Sequence, residues 1–176
     1  MLIRPATPDD AQAIAEVHVA AWRSAYAGLM PQNVLDALSV EQRAAGWHRT
    51  LSSPGSSMTS VASGEDGKVV GFALYGPSRD EDRVNGLTGE LLAINLLPQV
   101  WRCGFGRSLC DQALSHAQDQ GWQSLTLWVL RENAGARAFY ESMGFELDGM
   151  EKTDTRLVGS PLNELRYRQQ LSAVIR

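Results

Sequence analysis

Apolar and polar positions follow a helical period through the first part of the chain. Apolar residues recur there every three or four positions, which predicts a helix with one face in the core. These residues are Ile14, Val17, Ala21 and Ala25. The preceding run Thr7-Pro8-Asp9-Asp10 holds the cap, proline and acidic residues that typically begin a helix. Gly28 and Pro31 end it, and two shorter helices are predicted over 31–38 and 40–51.

The rest of the chain consists of short apolar runs separated by turn-forming residues. The runs predict strands over 2–4, 59–62, 68–75, 89–97, 125–130, 145–147 and 162–169. Helical periodicity returns over 105–120 and 134–143. Strands and helices in this order, without a visible repeat or linker, predict one mixed α/β domain over residues 1–176.

The net charge of the chain argues against nucleic acid and anionic membranes as binding partners. Net charge is −4 and the pI is about 5.4, so no overall positive field attracts nucleic acid or an anionic membrane. The chain has no apolar segment after a basic start and no run of about 18 apolar residues. We therefore expect a cytoplasmic protein that binds neither nucleic acid nor membrane.

Cysteine and histidine are too sparse for metal or redox chemistry. Cys103 and Cys110 lie seven positions apart, which does not suit a CxxC redox or zinc pair. The histidines at 18, 48 and 116 are scattered without ligand spacing. We expect no metal site, and we expect Cys110 to be a small buried residue.

A glycine-containing turn between a predicted strand and a predicted helix is the main candidate for chemistry. The turn follows Pro98 and reads Trp101-Arg102-Cys103-Gly104-Phe105-Gly106-Arg107. Free N–H groups at a helix start bind phosphate, and glycine lets a ligand approach the backbone closely. Arg102 and Arg107 would add charge-assisted bonds to a phosphate. An ordinary tight strand-to-helix turn would explain the same residues.

Spacing excludes two other phosphate loops. A Walker loop needs Gly-Lys followed by Ser or Thr, which does not occur in this chain. A dinucleotide fold needs a third glycine at position 109, where Leu109 stands, and an acid about 20 residues on that ends a second strand. Asp111 and Asp119 lie in or at the end of the helix, so neither serves.

The chain resembles the GCN5-related N-acetyltransferases (GNAT family) in its order of elements and in two separated motifs. The first is the acyl-CoA pyrophosphate loop, usually Gln/Arg-x-x-Gly-x-Gly/Ala; Trp101 departs from its first position, and Arg102 holds a position often filled by glycine. The second, Asn-x-x-Ala-x-x-x-Tyr-x-x-x-Gly-Phe, is met without departure from Asn133 to Phe145. The resemblance implies a mixed, mostly antiparallel twisted sheet flanked by helices.

The resemblance also assigns the co-substrate, acetyl-CoA, to particular residues. The loop residues Arg102, Cys103, Gly104, Phe105, Gly106 and Arg107 would hold its pyrophosphate. The main chain of Ile94, Asn95 and Leu96 and the side chain of Asn133 would hold pantetheine and the thioester. Tyr140 would protonate the departing CoA thiolate, because a phenol with a pKa near 10 keeps its proton at neutral pH. A main-chain N–H of the strand would donate to the oxyanion.

The proton acceptor and the amine site are assigned by position within the family. Glu90 lies 14 residues before Gly104, where the histone-acetyltransferase branch carries its glutamate base; a strand-edge or substrate-anchoring carboxylate is the alternative. Other branches place a glutamate where this chain has Trp128, which we interpret as a packing residue. Trp22, Tyr26 and Tyr75 would line the acceptor site, and aromatic rings with Glu90 would suit a cationic amine. Core packing is the alternative for Trp22.

These assignments imply an N-acetyltransferase in which a primary amine attacks acetyl-CoA directly, through a tetrahedral intermediate. The acceptor, a small amine or a protein amine, stays open, and homodimers through the late strands occur in the family. A non-catalytic acyl-CoA-binding sensor of the same fold is the alternative.

Overall fold

The computed structural model describes residues 1–53, 55–155 and 161–171. Its seven strands are β1 Leu2–Pro5, β2 Met58–Ser63, β3 Val69–Pro77, β4 Thr88–Leu96, β5 Ser124–Leu130, β6 Glu146–Asp154 and β7 Leu162–Gln170. Its helices are α1 Ala11–Ala25, α2 Gln32–Asp36, α3 Val40–Ser52, α4 Phe105–Asp119 and α5 Ala134–Ser142.

The strands form one sheet in the order β1-β2-β3-β4-β5-β7-β6. Of the neighbouring pairs, β4 and β5 run parallel, and the others are antiparallel. The predicted mixed α/β class and mostly antiparallel sheet are therefore confirmed.

Helices cover both faces of the sheet, and each face has its own core. On one face α4 packs on β2 to β5 through Leu109, Ala113 and Ala117. On the other face α1 and α3 pack on β2 and β3 around Phe72. A third apolar cluster joins the end of α1 and α2 to the ends of β5 and β7; it contains Met30, Leu35, Leu130 and Leu162, with Trp22 and Tyr26 against them.

The sheet opens between β4 and β5. Their parallel pairing ends at Glu90↔Thr126, although β4 stays paired with β3 as far as Leu96 and β5 with β7 as far as Leu130. Next to this point the β3–β4 register shifts, because Leu74 pairs with Ala93 and Tyr75 with Leu91. Leu92 is thus an extra residue in β4, and a bulge of this kind bends its strand. A slot results between the continuing halves of β4 and β5.

The pattern predicted the elements well, except at the edge of the sheet. The strand predicted over 145–147 is observed as the longer β6, Glu146–Asp154. Most of β6 is exposed and it carries charged residues, as edge strands commonly do. Such a strand lacks the apolar run that marks a buried strand. Cys110 is fully buried as expected, and burial raises the pKa of its thiol to about 12.

Candidate active site

The start of α4 offers a row of unpaired backbone N–H groups at the mouth of the slot. Gly104 precedes the helix with a left-handed φ of 87°, and its carbonyl accepts the N–H of Ser108. The N–H groups from Gly104 to Arg107 therefore precede the first bond of the helix and have no partner within it. Residues 101–104 are exposed, so a phosphate can reach this row.

Gly106 and Arg102 show two different reasons why glycine is common in this turn, and neither is the close approach of a ligand. Gly106 is buried, and a Cβ there would lie 3.2 Å from Leu96 Cδ1 and 3.5 Å from the Phe139 ring. Its missing side chain serves the packing of α4 on β4 and α5 rather than ligand approach. Arg102 has a left-handed φ of 62°, which explains why a glycine is common at its position.

Trp101 ties the turn back to the sheet. Its indole Nε1–H donates to the carbonyl oxygen of Leu96 at 3.1 Å, at the end of β4. The side chain is 43% exposed, so the ring lies on the surface beside the slot. The departure from the family's pattern at this position thus fixes the turn against β4.

Along β4 the backbone N–H and C=O groups of successive residues point alternately to β3 and to the slot. Leu97 donates its N–H to Val70 at 2.9 Å, and paired residues alternate in antiparallel sheets, so Asn95 also directs its main chain to β3. Ile94 and Leu96 direct theirs to the slot, and the Leu96 carbonyl accepts from Trp101. We therefore correct the expectation for Asn95: its main-chain groups face β3 rather than a cofactor in the slot.

Tyr140 lies in α5 and packs, together with Phe139, against the core on the α4 face of the sheet. The ring is half-buried and packs on Phe139 and Phe145, with centroid distances of 5.2 and 6.0 Å. Burial raises the pKa of Tyr140, and the charges that Tyr26 and Cys110 would carry raise it further. Tyr26 belongs to the α1 face and Cys110 to the α4 face, so Tyr140 is electrostatically close to both. Its hydroxyl stays protonated at neutral pH.

Asn133 has a structural role that the sequence did not predict. Its Oδ1 accepts the N–H of Ala136 at 3.1 Å and so caps the start of α5. The side-chain NH₂ is the group that this cap does not use. Asn133 thus orients α5, which carries Tyr140.

Glu90 is buried at the closed end of the slot and is held by Arg79. Its side chain is 5% exposed, and Oε1 accepts Arg79 Nη2 at 3.1 Å. Oε2 accepts the backbone N–H of Arg79 at 3.1 Å and its Nε at 3.4 Å. The arginine side chain is 73% exposed and reaches Glu90 from the solvent side.

The three aromatic residues expected at the acceptor site do not lie together. Trp22 and Tyr26 pack edge to face at 5.0 Å at the end of α1, with Arg43 over the Trp22 ring at 5.6 Å. Tyr75 is 2% exposed, bonds Ser60 through its hydroxyl at 2.8 Å and packs on His116 of α4. Tyr75 is therefore a core residue on the opposite face, and its expected place in the acceptor site is wrong.

A network of charged side chains around Arg166 lies beside the slot, and the sequence analysis did not predict it. Arg166 of β7 is 2% exposed and binds Asp82 through two bonds of 2.6 Å, Asp80 at 3.0 Å and Asp148 at 2.7 Å. Asp80 also accepts Nε1–H of Trp128 at 3.0 Å. The loop after β3 is thereby fastened to β5 and β7.

Within 1–53, 55–155 and 161–171, no three or more His, Cys, Asp or Glu side chains are grouped so that they could hold a metal ion. None of the helices in these segments is long and apolar enough to cross a membrane.

Comparisons with known proteins agree on one family. The model of the acetyltransferase (GNAT) family matches residues 17–145. An uncharacterized N-acetyltransferase of Bacillus subtilis, YuaI, is 32% identical over 172 residues, which cover 93% of this chain and 95% of that protein.

Solved structures share the fold. The PaiA N-acetyltransferase of Thermoplasma acidophilum, in complex with coenzyme A, superposes with a TM-score of 0.73 at 21% identity, covering 97% of this chain and 98% of that one. The acetyltransferase YncA of Salmonella typhimurium, with acetyl-CoA, gives 0.71 at 21% identity and covers 99% and 96%.

Proposed function

This chain belongs to the acetyltransferase (GNAT) family, and on that premise we propose that it transfers the acetyl group of acetyl-CoA directly to a primary amine. The pyrophosphate of the co-substrate binds the N–H groups at the start of α4, where the helix dipole favours negative charge. Arg107 and Arg102 flank this row and add charge-assisted bonds. Pantetheine then runs along β4 in the slot.

The slot positions the thioester for attack. The main chains of Ile94 and Leu96 face it, and the N–H of Ile94 donates to the thioester carbonyl. This bond strengthens as the carbonyl oxygen gains negative charge in the tetrahedral intermediate. When the intermediate collapses, the C–S bond breaks and Tyr140 gives its proton to the sulfur. The raised pKa of Tyr140 suits this role, because the proton is present throughout the neutral range.

The attacking amine must also lose a proton. Glu90 is the proposed acceptor, through a bridging water, because it is the carboxylate of β4 at the last β4–β5 pair. Arg79 forms an ion pair with the buried carboxylate of Glu90. The exposed arginine side chain can turn outward as the proton arrives.

The observation that carries this proposal is the place of Tyr140, beside a slot whose mouth is the free start of α4. The test mixes the protein with acetyl-CoA and a panel of primary amines and measures thiol release. Amine-dependent release, with acetylated amine detected by mass spectrometry, supports the proposal. CoA binding without thiol release for any amine overturns it in favour of the acyl-CoA sensor.

Replacing Glu90 by Gln is expected to lower kcat/KM at pH 7 about 100-fold, the lower end of the usual range for a lost general base. The deficit should shrink as pH rises, because more of the amine is then already neutral. Initial rates from pH 6.5 to 9.5 measure both effects. Arg79→Ala, which leaves the carboxylate in place, is the matched control. A Glu90→Gln enzyme with the unchanged profile would remove Glu90 from the mechanism.

A further inference from the structure

A cation already occupies a site made by an aromatic ring and a carboxylate beside the slot. Lys152 of β6 holds its Nζ 4.1 Å from the centre of the Trp128 ring and 3.3 Å from Oε2 of Glu164. We call Trp128 and Glu164 together the cation seat. A ring face and a carboxylate both attract an ammonium group, and here they act on the same one.

The cation seat lies on the face from which an acceptor can approach. Trp128 stands two residues after Thr126, the last residue of β5 paired with β4, which places it roughly 7 Å along the open part of the strand. Its neighbours Leu127 and Val129 face the α4 core, so the Trp128 side chain points to the opposite face. Glu90 lies on that face too, because Leu91 faces the α4 core.

Glu164 connects the cation seat to the aromatic residues of α1. It pairs across the sheet with Leu130, which packs in the third cluster with Tyr26. Burial raises the pKa of Tyr26, and the negative charge of Glu164 raises it further. The cation seat therefore adjoins the cluster at the end of α1 that contains Tyr26.

The ring is fixed, whereas its occupant can leave. Trp128 is held by Asp80 through its Nε1–H, and Arg166, 5.6 Å from its centre, is locked by three carboxylates. Lys152 is 44% exposed and reaches the cation seat on a flexible side chain, whereas Glu164 is only 19% exposed. An arriving ammonium group can thus replace Lys152 without moving the walls.

We propose that the cation seat binds a second ammonium group of the acceptor, which makes the acceptor a small diamine or polyamine, and that Lys152 fills the cation seat in its absence. This inference rests on the proposed function, since the other amino group of the acceptor is the one acetylated. An attacking amine must be neutral, whereas the amine at the far end keeps its charge and can be recognised by it.

The experiment compares 1,5-diaminopentane with n-pentylamine, which has the same chain and one amino group. Wild-type kcat/KM should favour the diamine about tenfold or more, as a cation bound to both ring and carboxylate requires. Glu164→Gln and Trp128→Leu should each remove most of this preference, measured as the ratio of kcat/KM for the two amines. Lys152→Met should lower KM for the diamine, because the competing cation is gone.

A binding measurement separates this inference from the proposed function. Calorimetry with 1,5-diaminopentane and the CoA-loaded protein should show binding that Glu164→Gln weakens about tenfold. The control is Glu151→Gln, which breaks the exposed pair of Glu151 with Arg131. Binding without turnover would sustain the cation seat and sink the proposed reaction. Equal use of both amines, or diamine binding that Glu164→Gln leaves unchanged, would overturn the cation seat.

Discussion

Tyr140→Phe is expected to lower kcat by about 10²- to 10³-fold, the range for loss of a positioned general acid. The change removes only the hydroxyl, so the ring contacts with Phe139 and Phe145 remain. Binding of CoA, which we propose depends on the start of α4 and the main chain of β4, should change less than about threefold. Steady-state rates and calorimetric CoA binding measure the two effects separately.

The matched control is Tyr75→Phe, the same chemical change at a buried tyrosine of β3 that packs on His116 of α4. It removes a buried bond to Ser60 and should cost about 1 kcal/mol of stability without altering kcat. A Tyr140→Phe enzyme with undiminished kcat would end the assignment of Tyr140 as the acid. A Tyr75→Phe enzyme with a large loss of kcat would restore Tyr75 to the site.

Arg166→Met should destabilise the protein by about 3 kcal/mol at pH 7, the lower end of the range for breaking a buried ion pair. The guanidinium is buried and meets three carboxylates, so its removal leaves Asp80 and Asp148 charged and poorly hydrated. Asp82 is 46% exposed and Arg168 still reaches Asp148 at 3.1 Å, which keeps the loss from being larger. Urea unfolding at equilibrium measures it.

The loss should depend on pH in a defined direction. The hydrogen bonds from Arg166 lower the pKa of Asp82 below its ordinary value near 4, so the stability that this bond contributes is present above pH 4 and disappears as pH falls below it. Wild type and variant should therefore converge on acidification. Arg131→Met, at an exposed ion pair, is the control and should change stability by less than about 1 kcal/mol. Equal losses in both variants would contradict the account.

Local pattern was enough to predict the elements and the glycine-containing turn before α4. The apolar stripe of α1 and the apolar runs of β4 and β5 predict these elements because apolar residues occupy their buried faces. Gly104 was identified because a left-handed residue before a helix leaves a local mark in the sequence.

The contacts that complete the site are distant in sequence and leave no such mark. Arg166 meets Asp80 across 86 positions, and Lys152 meets Trp128 only because β6 and β5 flank β7. The bulge at Leu92 changes the face of the sheet on which the later residues of β4 lie. The apolar run 91–97 contains no residue pattern that predicts this bulge. Tyr75 faces the α4 core, where it packs on His116, and this contact is also distant in sequence.

The short pairing of β4 with β5 makes the seven-stranded sheet two half-sheets joined by a seam. Along the slot each half-sheet has an interior edge, and none of the residues that the structure describes pairs with it. A pantetheine arm carries two amide groups and can act there as a substitute strand. By linkage, a ligand at 100 times its dissociation constant adds about 2.7 kcal/mol to folding stability. The co-substrate would then be a component of the fold as well as a reactant, and the lifetime of the protein in the cell would follow its acetyl-CoA supply.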